Sequence, residues 1–148
     1  MATFNKFNDF LSQLLIGTHN LDFGGTSTGA GIGVVKVYLS TAVPSATNSV
    51  KADVAEMPPG QGNYSTGGAD IANGIARTGG TAIMTAVDVV WTGTGTGFGP
   101  FRYVMLYNDT PSSPADPLIG WYDYGSNVSV AAGETFTVDF GTAVFTLV

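Results

Sequence analysis

Few residues in this chain have types and spacings that could do chemistry. His19 is the single histidine in 148 residues, and cysteine is absent. A general base needs an orienting partner, and Asp22 stands close by in sequence. The same histidine falls just past a predicted helix end, where the helix dipole favours a cation, and that structural role is the stronger expectation. Gly25-Thr26-Ser27-Thr28-Gly29 matches the G-x-S-x-G nucleophile elbow, which works only as a strained turn between a strand and a helix. Here the match lies in a glycine-threonine loop, and His19 precedes the serine, whereas the hydrolase order places the histidine after it. Asp109, Asp116 and Asp123 are close enough in sequence to suggest paired carboxylates or a weak Ca²⁺ site. However, no D-x-[DN]-x-[DN]-G loop accompanies them, and aspartates in turns commonly cap their own backbone. Gly93, Gly95, Gly97 and Gly99 alternate without forming a phosphate-binding G-x-x-x-x-G-K-[ST] or a G-x-G-x-x-G. These patterns lead to the expectation of a chain that is not an enzyme and has no metal or other cofactor.

The elements that would position such residues are mostly strands. One helix is expected at the start, within an N-terminal arm of residues 1–17. Phe4, Phe7, Phe10/Leu11 and Leu14/Leu15 recur at helical spacing, with Thr3 as a candidate N-cap and Gly17 as the stop. A Gly/Thr/Ser-rich loop follows over residues 23–33. Residues 32–39 read as a strand with Val35, Val37 and Leu39 on one face, and 50–56 as a weaker strand. Residues 57–80 read as one long surface loop carrying a short helical turn near 69–76. Residues 81–91 read as one long strand with Ile83, Thr85, Val87, Val89 and Trp91 on one face. Residues 92–99 form a glycine-rich turn, and 101–107 are apolar on both faces, as in a central buried strand.

Turn residues fill 108–117, and a strand spans 118–124. After turns at 125–127 and 131–133 come short strands at 128–130, 135–140 and 144–148. Short strands at regular spacing, separated by Gly, Pro and Asn, indicate an all-β fold. The expected architecture is a β-sandwich or jelly-roll-like barrel with one short N-terminal α-helix, in a single domain over residues 1–148.

Composition narrows the function classes. Charged residues make up 11% of the chain, less than half the usual share of about 25%. Gly, Thr, Ser and Asn must therefore cover much of the surface, and a neutral surface suits contact with neighbouring subunits. The net charge is −6, and Lys6, Lys36, Lys51, Arg77 and Arg102 stand singly. Phosphate binding needs clustered cations, so no nucleic-acid partner is expected. With no apolar run of about 18 residues and no signal peptide, a soluble chain made in a host cytoplasm is expected, with no membrane partner. The aromatic residues gather late in the chain: Trp91, Phe98, Phe101, Tyr103, Tyr107, Trp121, Tyr122 and Tyr124. Core packing is their default role, but Tyr122 and Tyr124 share a face opposite Trp121, so one of these groups is a candidate contact surface.

Three runs carry a resemblance. They are Phe101-Arg102-Tyr103-Val104-Met105-Leu106-Tyr107-Asn108-Asp109-Thr110, Pro117-Leu118-Ile119-Gly120-Trp121-Tyr122-Asp123-Tyr124-Gly125, and Ala132-Gly133-Glu134-Thr135-Phe136-Thr137-Val138-Asp139-Phe140. Over residues 81–148 the chain resembles small virion structural proteins of tailed bacteriophages, often head decoration or cement proteins. The resemblance brings no catalytic residues with it. It implies a capsid decoration protein on the virion exterior that binds the major capsid protein and itself, as a trimer. A tail or baseplate protein and a carbohydrate-binding β-sandwich module are the alternatives. Candidate partner-contact residues are Phe4, Phe7, Leu11, Leu14, Tyr64, Tyr122 and Tyr124.

Overall fold

The structure, a computed structural model, describes residues 2–22 and 34–148. The G-x-S-x-G run and the loop at 23–33 lie outside the described residues. The chain is mostly β, as expected, with one α-helix among the described residues, and its antiparallel sheets pack together in a sandwich-like arrangement.

The centre is a long hairpin made of β7 (Phe98–Asn108) and β8 (Leu118–Val130). It sits inside a five-stranded sheet with β1 (Phe4–Lys6), β2 (Val35–Ser40) and β3 (Ala69–Asp70), in the order β1-β8-β7-β2-β3. A three-stranded sheet, β10-β5-β4, joins β4 (Asn73–Thr78), β5 (Thr81–Ala86) and β10 (Phe145–Leu147). The third sheet pairs β6 (Val89–Thr92) with β9 (Thr135–Val138).

The apolar runs of β2 and β7 are explained by burial on both faces. Val35, Val37 and Leu39 join Val104 and Leu106 in the larger core, where Met84, Trp91, Phe136 and Val138 of the other two sheets meet them. Tyr38, Tyr103, Met105 and Tyr107 point the other way, into a second cluster with Phe7, Val54 and Leu118. A strand between two apolar layers needs apolar side chains at both parities, and β7 has them.

Several expectations are corrected. The N-terminal periodicity does not make one helix from Thr3 onward. Phe4–Lys6 instead add a strand to β8, with Phe4 opposite Tyr122 and Lys6 opposite Gly120. The helix α1 is confined to Asn8–Leu15, with Phe7 as its N-cap residue, and Gly17 follows at φ +82°, as its glycine stop requires. The edge of β8 offers backbone hydrogen bonds that residues 4–6 could not find in an isolated helical turn.

Residues 50–56 form no strand. Val50 makes a single bridge to Pro117, and Lys51–Asp53 form a 3-10 turn capped by the Asp53 carboxylate, which accepts from the amides of Ser49 (2.8 Å) and Val50 (3.2 Å). The second part of the expected loop at 57–80 is strand, and the turn expected at 69–76 is β3 and β4. The Gly79-Gly80 turn folds β4 back onto β5, and pairing across that hairpin overrides the low strand propensity of its Ala and Gly residues.

The long strand expected at 81–91 is two strands in two sheets. Met84 points inward from β5, whereas Val89 and Trp91 point inward from β6, so the buried parity switches at Val87 and Asp88. Asp88 holds the crossing by accepting from the Phe140 amide at 3.0 Å. The turn expected at 125–127 is a wide bulge inside β8. Phe101 pairs with Val128 and Tyr103 with Asp123, so residues 124–127 stand opposite Arg102 alone.

Gly120 is where β1 approaches most closely. A methyl group there would run into the Phe4 ring and lie 2.6 Å from the Asn5 carbonyl oxygen. Gly120→Ala should lower stability by about 1–3 kcal/mol, read as a drop in the thermal midpoint. Gly80→Ala, which meets open space, should stay within about 0.5 kcal/mol of the parent. Equal midpoints for the two variants would contradict the β1–β8 register.

Candidate functional site

Of the candidates for catalysis, His19 and Asp22 both line one cleft, and Ser27 lies outside the described residues. His19 is buried, with 5% of its surface exposed, and its ring lies edge-on to Phe10 at 5.2 Å. Asn108 accepts the Thr110 amide on Oδ1 (3.1 Å), which turns its NH₂ group towards His19 Nδ1 at 3.4 Å. Nδ1 is then the acceptor, and the ring proton sits on Nε2. Burial pushes the imidazole down to about 4, against an opposing pull from the Asp9 charge. The expected cation at a helix end is therefore corrected: desolvation keeps the ring neutral.

The three aspartates separate. Asp123 grips Arg102 with two hydrogen bonds, at 2.7 and 2.8 Å. Asp109 shares Lys36 with Asp70, at 3.3 and 3.4 Å. The Lys36 ammonium thus lies between Asp109 and Asp70. Burial and the neighbouring Asp109 charge raise the Asp116 carboxyl above its ordinary value. Among the described residues no three histidine or acidic side chains are grouped to hold a metal ion.

What the fold does assemble is a polar network under residues 54–68. Lys51 Nζ lies over the rings of Tyr38 (5.0 Å) and Tyr107 (5.7 Å) and reaches Glu56 Oε2 at 2.7 Å. Glu56 Oε1 accepts from the Tyr64 hydroxyl (2.8 Å) and the Gly67 amide (2.7 Å). Tyr64 in turn accepts the Leu39 amide of β2 at 3.0 Å, and Tyr107 donates to the Gly67 carbonyl at 3.0 Å. Burial raises the Tyr38, Tyr64 and Tyr107 phenols well above the ordinary range, so all three remain neutral donors. Gly68 completes the junction at φ +77°, where any side chain would strike the Val37 carbonyl.

The contact candidates fall into two groups. Phe7, Tyr64 and Tyr122 are buried in the chain's own core, which takes them off the surface of this fold. Phe7 packs on Trp121 at 4.6 Å, and the Tyr122 hydroxyl donates to the Val144 carbonyl at 3.3 Å, its phenol pushed up by burial to about 12. Phe4 is half-buried, stacked on Phe145 at 5.4 Å. Leu11 and Leu14 are half-buried at the core edge, and Tyr124 is exposed. Tyr122 and Tyr124 share the face opposite Trp121 and line one cleft, but only Tyr124 is exposed, because it lies in the β8 bulge.

Among the described residues, two clefts have mainly apolar walls. The larger of these two, about 350 Å³, lies between the end of α1 and strands β4, β5 and β10, lined by Leu14, His19, Ile75, Ile83, Phe145 and Leu147 among others. The smaller, about 180 Å³, lies between β8 and β9 beside Tyr124. The exposed side chains Leu15, Ile16, Ile75 and Val148 belong to the segments that line the larger cleft. Sequence reasoning missed these exposed residues and the Lys51–Glu56 pair. Leu15 and Ile16 carried a signal, being apolar residues that run past the width of one helix face. Comparison with protein families, curated proteins and solved structures finds no match.

Tyr64→Phe would leave the buried Leu39 amide without its acceptor and should cost about 1–3 kcal/mol, measurable by denaturant unfolding. His19 makes stability depend on pH. Its unfolded value is 6.5 and its folded value about 4. The unfolded chain thus binds the proton first as pH falls, and stability is full above 6.5 and declines towards 4. The loss should reach about 3 kcal/mol, and His19→Phe should remove that part of the profile. A parent and variant with the same pH dependence over this window would contradict the neutral buried ring.

Proposed function

We propose that the chain is a structural subunit of a tailed-phage particle, a capsid decoration protein. In this reading it sits on the outer shell as a homotrimer and stabilises the head by bridging major capsid proteins. The observation that carries the reading is where the resembling runs lie. Residues 101–110 and 117–125 fall on β7 and β8 and the turn between them, and residues 132–140 include β9, so the likeness concerns the load of the scaffold and not a peripheral loop.

Two features support it. Exposed apolar side chains at the end of α1, with Leu15 87% exposed, together with Ile75 and Val148, are the kind of surface a neighbouring subunit covers. The net charge of −6 suits an outer surface and opposes contact with packaged DNA.

Cryo-electron microscopy of particles from the phage encoding this chain is the direct test. Density matching the sandwich on the capsid exterior, where capsomers meet, is the expected result. Density for it in the tail or baseplate, or particles lacking the chain by mass spectrometry, would overturn the reading.

A further inference from the structure

The bulge in β8 gives one aromatic ring an unusual setting. Residues 124–127 stand outside the β7–β8 ladder. Their base is fixed: Asp123 holds Arg102 at 2.7 and 2.8 Å and also accepts the Gly125 amide at 2.8 Å. Tyr124 is thereby held outward, 57% exposed, on a rigid support. Its ring meets Phe136 edge to face at 5.9 Å, which fixes its tilt and leaves the rest of the ring in solvent.

The cleft beside it holds about 180 Å³ and has Val104, Tyr122, Phe136 and Val138 among its lining residues, with Thr137 and Asp139. Thr137 and Asp139 are exposed. Asp139 is oriented by the Gly141 amide, which donates to Oδ1 at 2.7 Å. An apolar wall and one presented aromatic ring thus bound a space suited to one sugar ring, with the exposed Thr137 and the anchored Asp139 at its rim.

A pyranose has the complementary surfaces: an apolar C–H face for an aromatic ring, and hydroxyls that donate to a carboxylate. An anionic ligand would meet Asp139 and a chain of net charge −6. A quaternary ammonium group is best held by several ring faces, and here a single exposed ring is on offer. A purely apolar ligand would strand Asp139.

We propose that the cleft between β8 and β9 binds a neutral saccharide, with Tyr124 stacked on one sugar ring and Asp139 accepting from its hydroxyls. This inference does not depend on the capsid reading, because it concerns a face of the subunit that either assembly state could present. With contacts to one ring, affinity in the millimolar range is expected.

The test is an array of neutral oligosaccharides with the full chain, followed by an NMR titration with the strongest hit and with choline chloride. The saccharide should shift the amides of Tyr124, Gly125 and Thr137. Tyr124→Ala should weaken binding about tenfold or more, Tyr124→Phe should retain it, and Asp139→Asn should weaken it. Tyr124 is exposed, so the alanine variant should keep the fold, and its spectrum away from the cleft reports this. No saccharide hit, shifts confined to other faces, unchanged binding by Tyr124→Ala, or choline shifting these amides in place of any sugar would overturn the proposal.

Discussion

Everything in this chain hangs on a β-hairpin that must be covered on both sides. β7 places Val104 and Leu106 in one apolar layer and Tyr103, Met105 and Tyr107 in the other. Either face left in water would forfeit the burial of large side chains, each worth about 1.5–3 kcal/mol. The small sheets β10-β5-β4 and β6-β9 cover the first face. The second is covered by Phe7 and Val54, from segments outside the partner sheets, with Trp121 of β8 packed against Phe7. The short β1 strand and the irregular chain at 41–57 are consequences of that demand.

The second face also explains the polar interior. A layer that includes Tyr38, Tyr103 and Tyr107 brings hydroxyls into a dry region, and buried hydroxyls need partners. Val54 and Gly67 supply carbonyls to two of these tyrosines. Lys51 lies over two of the rings while its charge meets Glu56. The pair is mostly shielded from water, so its value is less in raw stability than in setting one path for residues 54–68. A glycine-rich segment with little core of its own is thereby tied to β2 and β7.

The same architecture separates scaffold from surface. Residues 101–110, 117–125 and 132–140 build the hairpin and β9, whereas the exposed apolar end of α1 and the Tyr124 bulge lie at its margins. An assembly contact at one margin and a ligand cleft at another are compatible, because α1, β4, β5 and β10 line the first and β8 and β9 the second.

Where period and composition pointed one way, the residues already told the outcome. The alternation of Phe136 and Val138, the two-sided apolarity of 101–107, the glycine stop at Gly17 and the turn chemistry of 108–117 all report local geometry that any β fold must satisfy. Partner choice was not legible. Phe4 and Phe7 fit a helix period as well as a strand beside β8, and only the free edge of β8 decided between them. Thr81 to Trp91 reads as one strand because its parity switch at Val87 and Asp88 follows from leaving one sheet for another, an event with no local signature. The neutral state of His19 likewise came from Phe10 and Asn108, far apart in sequence. Tyr122 and Tyr124 differ in exposure because register, set across β7, pushes residues 124–127 out of the ladder. Local conformational preference is written residue by residue, whereas pairing, burial and the clefts depend on which distant segments meet.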